Sequence, residues 1–212
     1  MNVKIFIGNA DHVRHAQAIC DMINEASTKR GTGIAKRSPE YIGHKLTEGR
    51  AVIALSNAEP VGFCYLETWS HGKYIANSGL IVHESFRNTG LAGKIKRRAF
   101  ELSKSLFPEA KLFGITTSLP VMKINSDLGY KPVTFSELTD DEAFWKGCEG
   151  CRNHDILLRN EHKMCLCTGM LFSPEQKKAN TKIIKSQRWE NFKRFLKLRK
   201  IRSQRLLKSI TL

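Results

Sequence analysis

The stretch Ser78-Gly-Leu-Ile-Val-His-Glu-Ser-Phe-Arg87-Asn-Thr-Gly90-Leu-Ala92-Gly-Lys-Ile-Lys96 carries the plainest chemical signal in the chain. An apolar, strand-like run leads into Arg87-x-x-Gly90-x-Ala92, and a helical pattern begins at once. Gly and Ala let a ligand approach the backbone closely. A turn that aims several N–H groups at one point, just before a helix N-terminus, makes a cradle for pyrophosphate. Lys94, Lys96, Arg97 and Arg98 add cations around it. Taken alone, so short a match is also what a plain strand-to-helix turn with solvated Lys and Arg would give.

A second constellation is Cys148-Glu-Gly-Cys151 followed by Cys165-Leu-Cys167. C-x₂-C, a gap of 13 residues and C-x-C offer four thiolates, the number a closed tetrahedral zinc site requires. Gly147 and Gly150 suit the tight turn of a knuckle, and His154 and His162 are spare ligands. The expectation is a structural zinc clip over residues 146–168, not a catalytic zinc, because four thiolates leave no open position. Buried thiols or a thiol pair are the alternatives. Cys20 and Cys64 lie on apolar stripes and are expected in the core.

The elements that must position these residues follow from periodicity and punctuation. Val3–Ile7, Ala51–Leu55, Val61–Thr68, Ile75–Val82, Lys111–Thr117, Tyr130–Phe135 and Cys167–Phe172 read as strands. Ala10–Thr28 and Leu91–Phe107 have helical periodicity. Ser38-Pro39-Glu40 starts a helix with Ser as N-cap and Pro at the first helical position, ending near Gly49. Pro120–Leu128 is a short helix closed by Gly129. Thr139-x-x-Glu142 and Ser173-x-x-Gln176 read as capping boxes that open further helices. The order predicts an α/β fold with an antiparallel first half and one crossover helix.

With 212 residues, 41% hydrophobic and 26% charged, the chain is globular in composition, which excludes collagen-like and wholly disordered classes. The net charge of +15 is unevenly placed. Residues 174–212 hold 13 Lys+Arg against 2 Asp+Glu, and residues 1–173 hold 22 against 18. Strong basicity thus belongs to the tail, and a nucleic-acid argument from the whole-chain pI would be misplaced. No apolar run approaches the roughly 20 residues a transmembrane helix needs. MNVKIFIGNADHVRH lacks the pattern of a secretory signal, so a reducing cytoplasm is expected. Two domains are read: 1–173, and an amphipathic basic helical extension at 174–212 that fits packing on the domain, a protein partner, a nucleic acid or an anionic surface.

The Arg87–Ala92 element resembles the acyl-CoA-binding motif of the GCN5-related N-acetyltransferase (GNAT) superfamily, Q/R-x-x-G-x-G/A after a strand. Leu112-Phe-Gly-Ile-Thr-Thr-Ser118 and Asn125-Ser-Asp-Leu128-Gly129-Tyr130 resemble the strand and the "LGF" junction that follow it. The resemblance spans roughly residues 3–135 and implies the GNAT fold, a mixed, mostly antiparallel sheet splayed at its centre, here with a Cys-rich insertion. It implies acetyl-CoA or another short acyl-CoA, such as succinyl-CoA, as co-substrate. Main-chain groups of Leu80, Ile81 and Val82 would meet pantetheine and polarise the thioester. Arg87, Asn88, Thr89, Gly90, Leu91 and Ala92 would hold the pyrophosphate. Asn125 stands where many members carry a Tyr that protonates the departing thiolate; an amide can bond pantetheine but cannot be that acid. Tyr130 falls at a position usually packed in the core. A base for the attacking amine is expected from Glu67 first, then His83, with His71 in the intervening turn; each also reads as a solvated strand end.

Gly31-Thr-Gly-Ile34-Ala-Lys36-Arg37-Ser38-Pro-Glu40 is similar to the acceptor-site loop of N-acetylglutamate synthase acyltransferase domains. The similarity implies contacts to a glutamate acceptor from the Ile34 main chain and Lys36, with Arg37 as neighbour, since a dicarboxylate needs two anion contacts. That family's Arg after the double Thr is Ser118 here. The expected activity is acyl transfer to the α-amine of an amino acid, L-glutamate first, at the entry to arginine biosynthesis. A protein lysine, an aminoacylated RNA, or acyl-CoA binding without turnover are the alternatives, and a homo-oligomer is left open.

Overall fold

The computed structural model describes residues 2–30 and 37–174. Seven strands form one sheet in the order β1-β2-β3-β4-β5-β7-β6: β1 Val3–Ile7, β2 Ala51–Ser56, β3 Glu59–Trp69, β4 Tyr74–Val82, β5 Lys111–Thr116, β6 Lys131–Val133 and β7 Thr168–Phe172. Every neighbouring pair is antiparallel except β4 and β5, the pair joined by the crossover helix α3, Leu91–Leu106.

Period-two alternation sorts side chains to the two faces of the sheet. Val52, Ala54, Cys64 and Leu66 face α3 and its Leu91, Ile95, Ala99 and Phe100. Ala51, Ile53, Phe63 and Tyr65 face Ile19, Ile23, Ile42 and Leu46. The latter four come from α1, Ala16–Arg30, and α2, Pro39–Thr47. Each fully buried Leu, Ile or Phe of these layers contributes about 1.5–3 kcal/mol. A third cluster, Ala76, Phe113, Phe135, Leu138, Trp145, Leu157 and Leu171, fills the end of the sheet beside the segment between β6 and β7. That segment carries α5, Glu142–Lys146, and α6, His154–Arg159.

Local chemistry explains most boundaries. Ser38 Oγ accepts from the Tyr41 N–H, with Pro39 next in the first turn of α2. Gly129 takes φ +95° beyond α4, Leu119–Asp127. The helix anticipated at Ala10 opens instead with a 3-10 turn, Ala10–His15, before α1. The cap of α5 also differs: Asp141, not Thr139, accepts from the Ala143 N–H. Thr139 is buried, its hydroxyl bonded to Ser70 Oγ and its carbonyl taken by the Trp145 indole N–H. No helix among the described residues is long and apolar enough to cross a membrane. The chain separates into two units, Met1–Phe172 and Ser173–Leu212. The helical reading of 175–212 lies outside the described residues.

Candidate active site

The parallel pair β4–β5 is short. Tyr74, Ile75 and Ala76 face Lys111, Leu112 and Phe113, and there the ladder stops, although β4 runs on to Val82 and β5 to Thr116. The parted strands open a cavity of about 920 Å³, with Asn77–Leu80 on one lip and Gly114–Ser118 on the other. A bulge shapes the first lip. Phe63 pairs Ile81 and Tyr65 pairs Ser78, so Gly79 and Leu80 together oppose Cys64. Gly79 adopts φ +63°, and a Cβ there would lie 2.3 Å from the Tyr65 ring, so only glycine fits.

The floor of the gap is polar within an apolar core. Lys96 is 2% exposed and its Nζ donates to the Asn77 carbonyl at 3.1 Å. Asn77 Nδ2 donates to Ser103 Oγ at 2.7 Å, and the Tyr130 hydroxyl donates to Asn77 Oδ1 at 3.0 Å. Asn125, also 2% exposed, lines the cavity with Lys96 and Asn77, and its Oδ1 has no hydrogen-bond partner. A buried amide oxygen left unpaired is costly, and it fits an N–H brought by a ligand.

Charge gathers on the α2–β3 side. Glu67, 9% exposed, accepts from the Tyr41 hydroxyl and lies 3.9 Å from Arg37 Nη2. Arg37 Nε donates to the Tyr65 hydroxyl at 2.9 Å, and its guanidinium sits over the Tyr41 ring at 5.2 Å. Burial first, then the neighbouring Glu67, pushes both phenols above their ordinary range, so both stay neutral, Tyr41 donating to Glu67 and Tyr65 accepting from Arg37. The cluster holds a carboxylate and a guanidinium on one cavity wall. Such a wall can accept a proton from an amine and pair with a carboxylate.

Of the predicted residues, Glu67, Leu80, Asn125, Arg37 and Ser118 line this cavity together. Ser118 does so at the start of α4, its N–H donating to Thr116 Oγ1 at 3.0 Å. Ile81 and Val82 are buried beside it without lining it. Arg87, Asn88, Thr89 and Gly90 form an exposed turn outside the cavity wall. Asn88 and Gly90 there take φ +63° and +78°, and the turn feeds buried Leu91 and half-buried Ala92. Arg87 Nε donates to the Val82 carbonyl at 3.4 Å. His83 is exposed, its Nδ1 accepting from the Ser85 N–H, and neither it nor exposed His71 reaches the wall. Lys94, Arg97 and Arg98 are exposed along α3, whereas Lys96 faces inward, not toward the turn. Ile34 and Lys36 lie outside the described residues.

Tyr41, Tyr65 and Asn77 were not singled out as site residues by the sequence, and Lys96 was read only as a cation around the Arg87–Ala92 turn. Tyr65 and Glu67 stand at i and i+2 of one strand, hence on one face. Lys96 stands on the stripe it shares with Ala99, Phe100 and Ser103, all buried.

Cys148, Cys151, Cys165 and Cys167 line the same cavity. Cys148, Cys165 and Cys167 pack against the third core cluster, and Cys165 Sγ donates to the Asn153 carbonyl at 3.8 Å. Burial, then Cys151 and Cys165, pushes the Cys148 thiol up to about 11. Burial, then Cys165, pushes Cys167 up to about 12. Among the described residues no group of three or more His, Cys, Asp or Glu side chains is arranged to hold a metal ion. The tetrathiolate zinc site expected from spacing is not among the arrangements the described residues show; three of the thiols pack against an apolar cluster.

A mixed sheet parted between two parallel strands joined by a helix, with polar groups on the floor of the gap, defines the N-acetyltransferase class of fold. Residues 17–117 match the model of the Acetyltransferase (GNAT) family, and the described residues have the GNAT fold. No curated protein matches the chain. Among solved structures, N-acetylglutamate synthase from Neisseria gonorrhoeae, complexed with coenzyme A and N-acetyl-glutamate, aligns at a TM-score of 0.56 and 13% identity over 82% of this chain. This chain covers 35% of that synthase. A Mycobacterium tuberculosis protein in complex with CoA aligns at 0.55 and 14% identity, over 80% of this chain and 98% of that one. The protein yncA of Salmonella typhimurium, with its cofactor acetyl-CoA, aligns at 0.56 and 12% identity, over 82% and 95%. At such identities these likenesses establish the fold.

Proposed function

We propose that the protein transfers an acetyl or succinyl group from acyl-CoA to the α-amine of an amino acid, L-glutamate first, at the entry to arginine biosynthesis. The observation that carries the reading is the single cavity shared by the β4–β5 gap and the Arg37–Glu67 wall. Acyl-CoA would lie with its diphosphate against main-chain groups from Arg87 to Ala92 and its pantetheine in the gap. Asn125 Oδ1, unpaired and buried, would accept a pantetheine amide N–H. The amine attacks the thioester carbon directly, and Glu67 takes its proton. Tyr41 and Arg37 fix the Glu67 carboxylate in place. Arg37 also supplies one of the two anion contacts a dicarboxylate needs.

Support for glutamate comes from the similarity of the 31–40 loop and from the gonococcal synthase being one of the aligned folds. The test is a grid of acetyl- and succinyl-CoA against the amino acids, reading thiol release. Glutamate raises the rate and glutamine, lacking the second charge, raises it far less. A flat response across all amino acids refutes the acceptor assignment.

A further inference from the structure

The reading above leaves the departing sulfur without an acid, because Asn125 has no proton to give. Lys96 lines the same cavity from α3. Its Nζ is tied to the carbonyl of Asn77, the first β4 residue beyond the last β4–β5 pair, and it lines the cavity with Asn125. Among the described residues it has no other acceptor and no carboxylate partner. The titratable groups that face it are Cys64 from β3 and Tyr130, 5.7 Å from Nζ to the ring centroid. Both are held in their neutral forms by burial. Asn77 and Ser103, also alongside, carry no charge. A buried cation without an anion is strongly unfavourable, and Met would fill this helix position at no such cost. An anion that arrives only during reaction would complete the site.

We infer that Lys96 is the group that stabilises and protonates the CoA thiolate when the thioester breaks, an inference that rests on the thioester lying in the β4–β5 gap. The amine nitrogen bonds to the acyl carbon, and the C–S bond breaks with its electron pair left on sulfur. The Lys96 ammonium gives that sulfur a proton and becomes neutral. Glu67, having taken the proton the amine loses, returns it to solvent, from which Lys96 is recharged. Burial also lowers the Lys96 pKa from its ordinary value, which eases donation near neutrality.

The experiment titrates the thiol of CoA bound to the full-length protein, by thiolate absorbance, beside calorimetry of CoA binding. In the wild type the bound thiol ionises at lower pH than free CoA. In Lys96→Met it loses that advantage, the thiolate fraction at fixed pH falling about tenfold. CoA still binds, kcat drops roughly 100-fold, and the melting temperature holds or rises, which a purely structural lysine would not allow. A bound thiol that titrates at or above the free value in the wild type overturns the inference without any variant. An unchanged titration in Lys96→Met overturns it equally. Failure of the wild type to bind CoA overturns the parent reading instead.

Discussion

Replacing Gly79 with Ala tests whether the bulge beside the gap is a structural necessity. Two penalties are separable. The backbone at φ +63° lies in the left-handed region, which costs a residue with a Cβ about 1–2 kcal/mol. The new methyl would also stand 2.3 Å from Cε1 and 2.7 Å from Cδ1 of Tyr65. Tyr65 is itself 2% exposed and packed edge-on to Tyr41, so its ring has nowhere cheap to go. Displacing it breaks the hydrogen bond from Arg37, of the charged kind that contributes about 1.5–3 kcal/mol. The expected loss for Gly79→Ala is therefore about 3–4 kcal/mol. Gly72 is the control, with φ +82° and nothing within 4 Å of a Cβ, so Gly72→Ala loses only the backbone contribution of about 1–2 kcal/mol. Urea unfolding at matched slopes reads the stabilities. Thiol release reads activity, which falls tenfold or more in Gly79→Ala because Arg37 and Glu67 lose their geometry. Equal losses in the two alanine variants, with activity retained, would refute the reasoning.

Two further outcomes follow. Asp141→Ala removes the N-cap of α5 and the acceptor for the Ser70 N–H at 3.0 Å, and lowers stability by about 1–2 kcal/mol, measured by urea midpoint; Thr139→Ala lacks the cap effect but loses the Ser70 contact. Alkaline pH weakens the fold through the thiols: Cys148 and Cys167 ionise near 9 when unfolded but only at about 11 and about 12 when folded. Above pH 9 the unfolded chain binds fewer protons than the native one, so stability is full below 9 and is lost as pH rises through the folded values. Unfolding midpoints from pH 8 upward should fall, and a Cys148→Ala/Cys167→Ala protein should fall less steeply.

The strands were legible because each alternates or runs apolar between turn residues, and α2 and α4 because Ser38-Pro39 and Gly129 are strong punctuation. The position of β7 between β5 and β6 was not, since local patterns do not encode which strands pair across a long insertion. Thr139 and Asp141 both suit a cap, and only the tertiary bonds of Thr139 decide between them. C-x₂-C and C-x-C spacing gives ligand number but not the surroundings of the sulfurs, three of which here pack against an apolar cluster. Of the cavity wall, Glu67, Leu80, Asn125, Arg37 and Ser118 were legible from motif position. Lys96 was read with Lys94, Arg97 and Arg98 as a cation around the Arg87–Ala92 turn, although its own helical stripe is apolar.

That misreading is informative about how the gap is built. A helix facing a sheet is normally apolar on its inner stripe, and α3 obeys this at Leu91, Ile95, Ala99, Phe100 and Leu102. It departs only at Lys96 and Ser103, and both bonds run to Asn77, directly or through its side chain, where the β4–β5 ladder ends. The Tyr130 hydroxyl converges on the same residue from the end of α4. Fully satisfied polar networks rigidify a core, whereas unsatisfied members mark where something is missing. Here Asn77, Ser103 and Tyr130 are satisfied, while Lys96 lacks an anion and Asn125 Oδ1 lacks a donor. A ligand offering an N–H beside a group that becomes negative complements both, and a thioester attached to an amide-bearing arm is such a ligand. Local agreement between sequence and fold thus breaks where the chemistry is read, as expected when a site is held at some cost to stability.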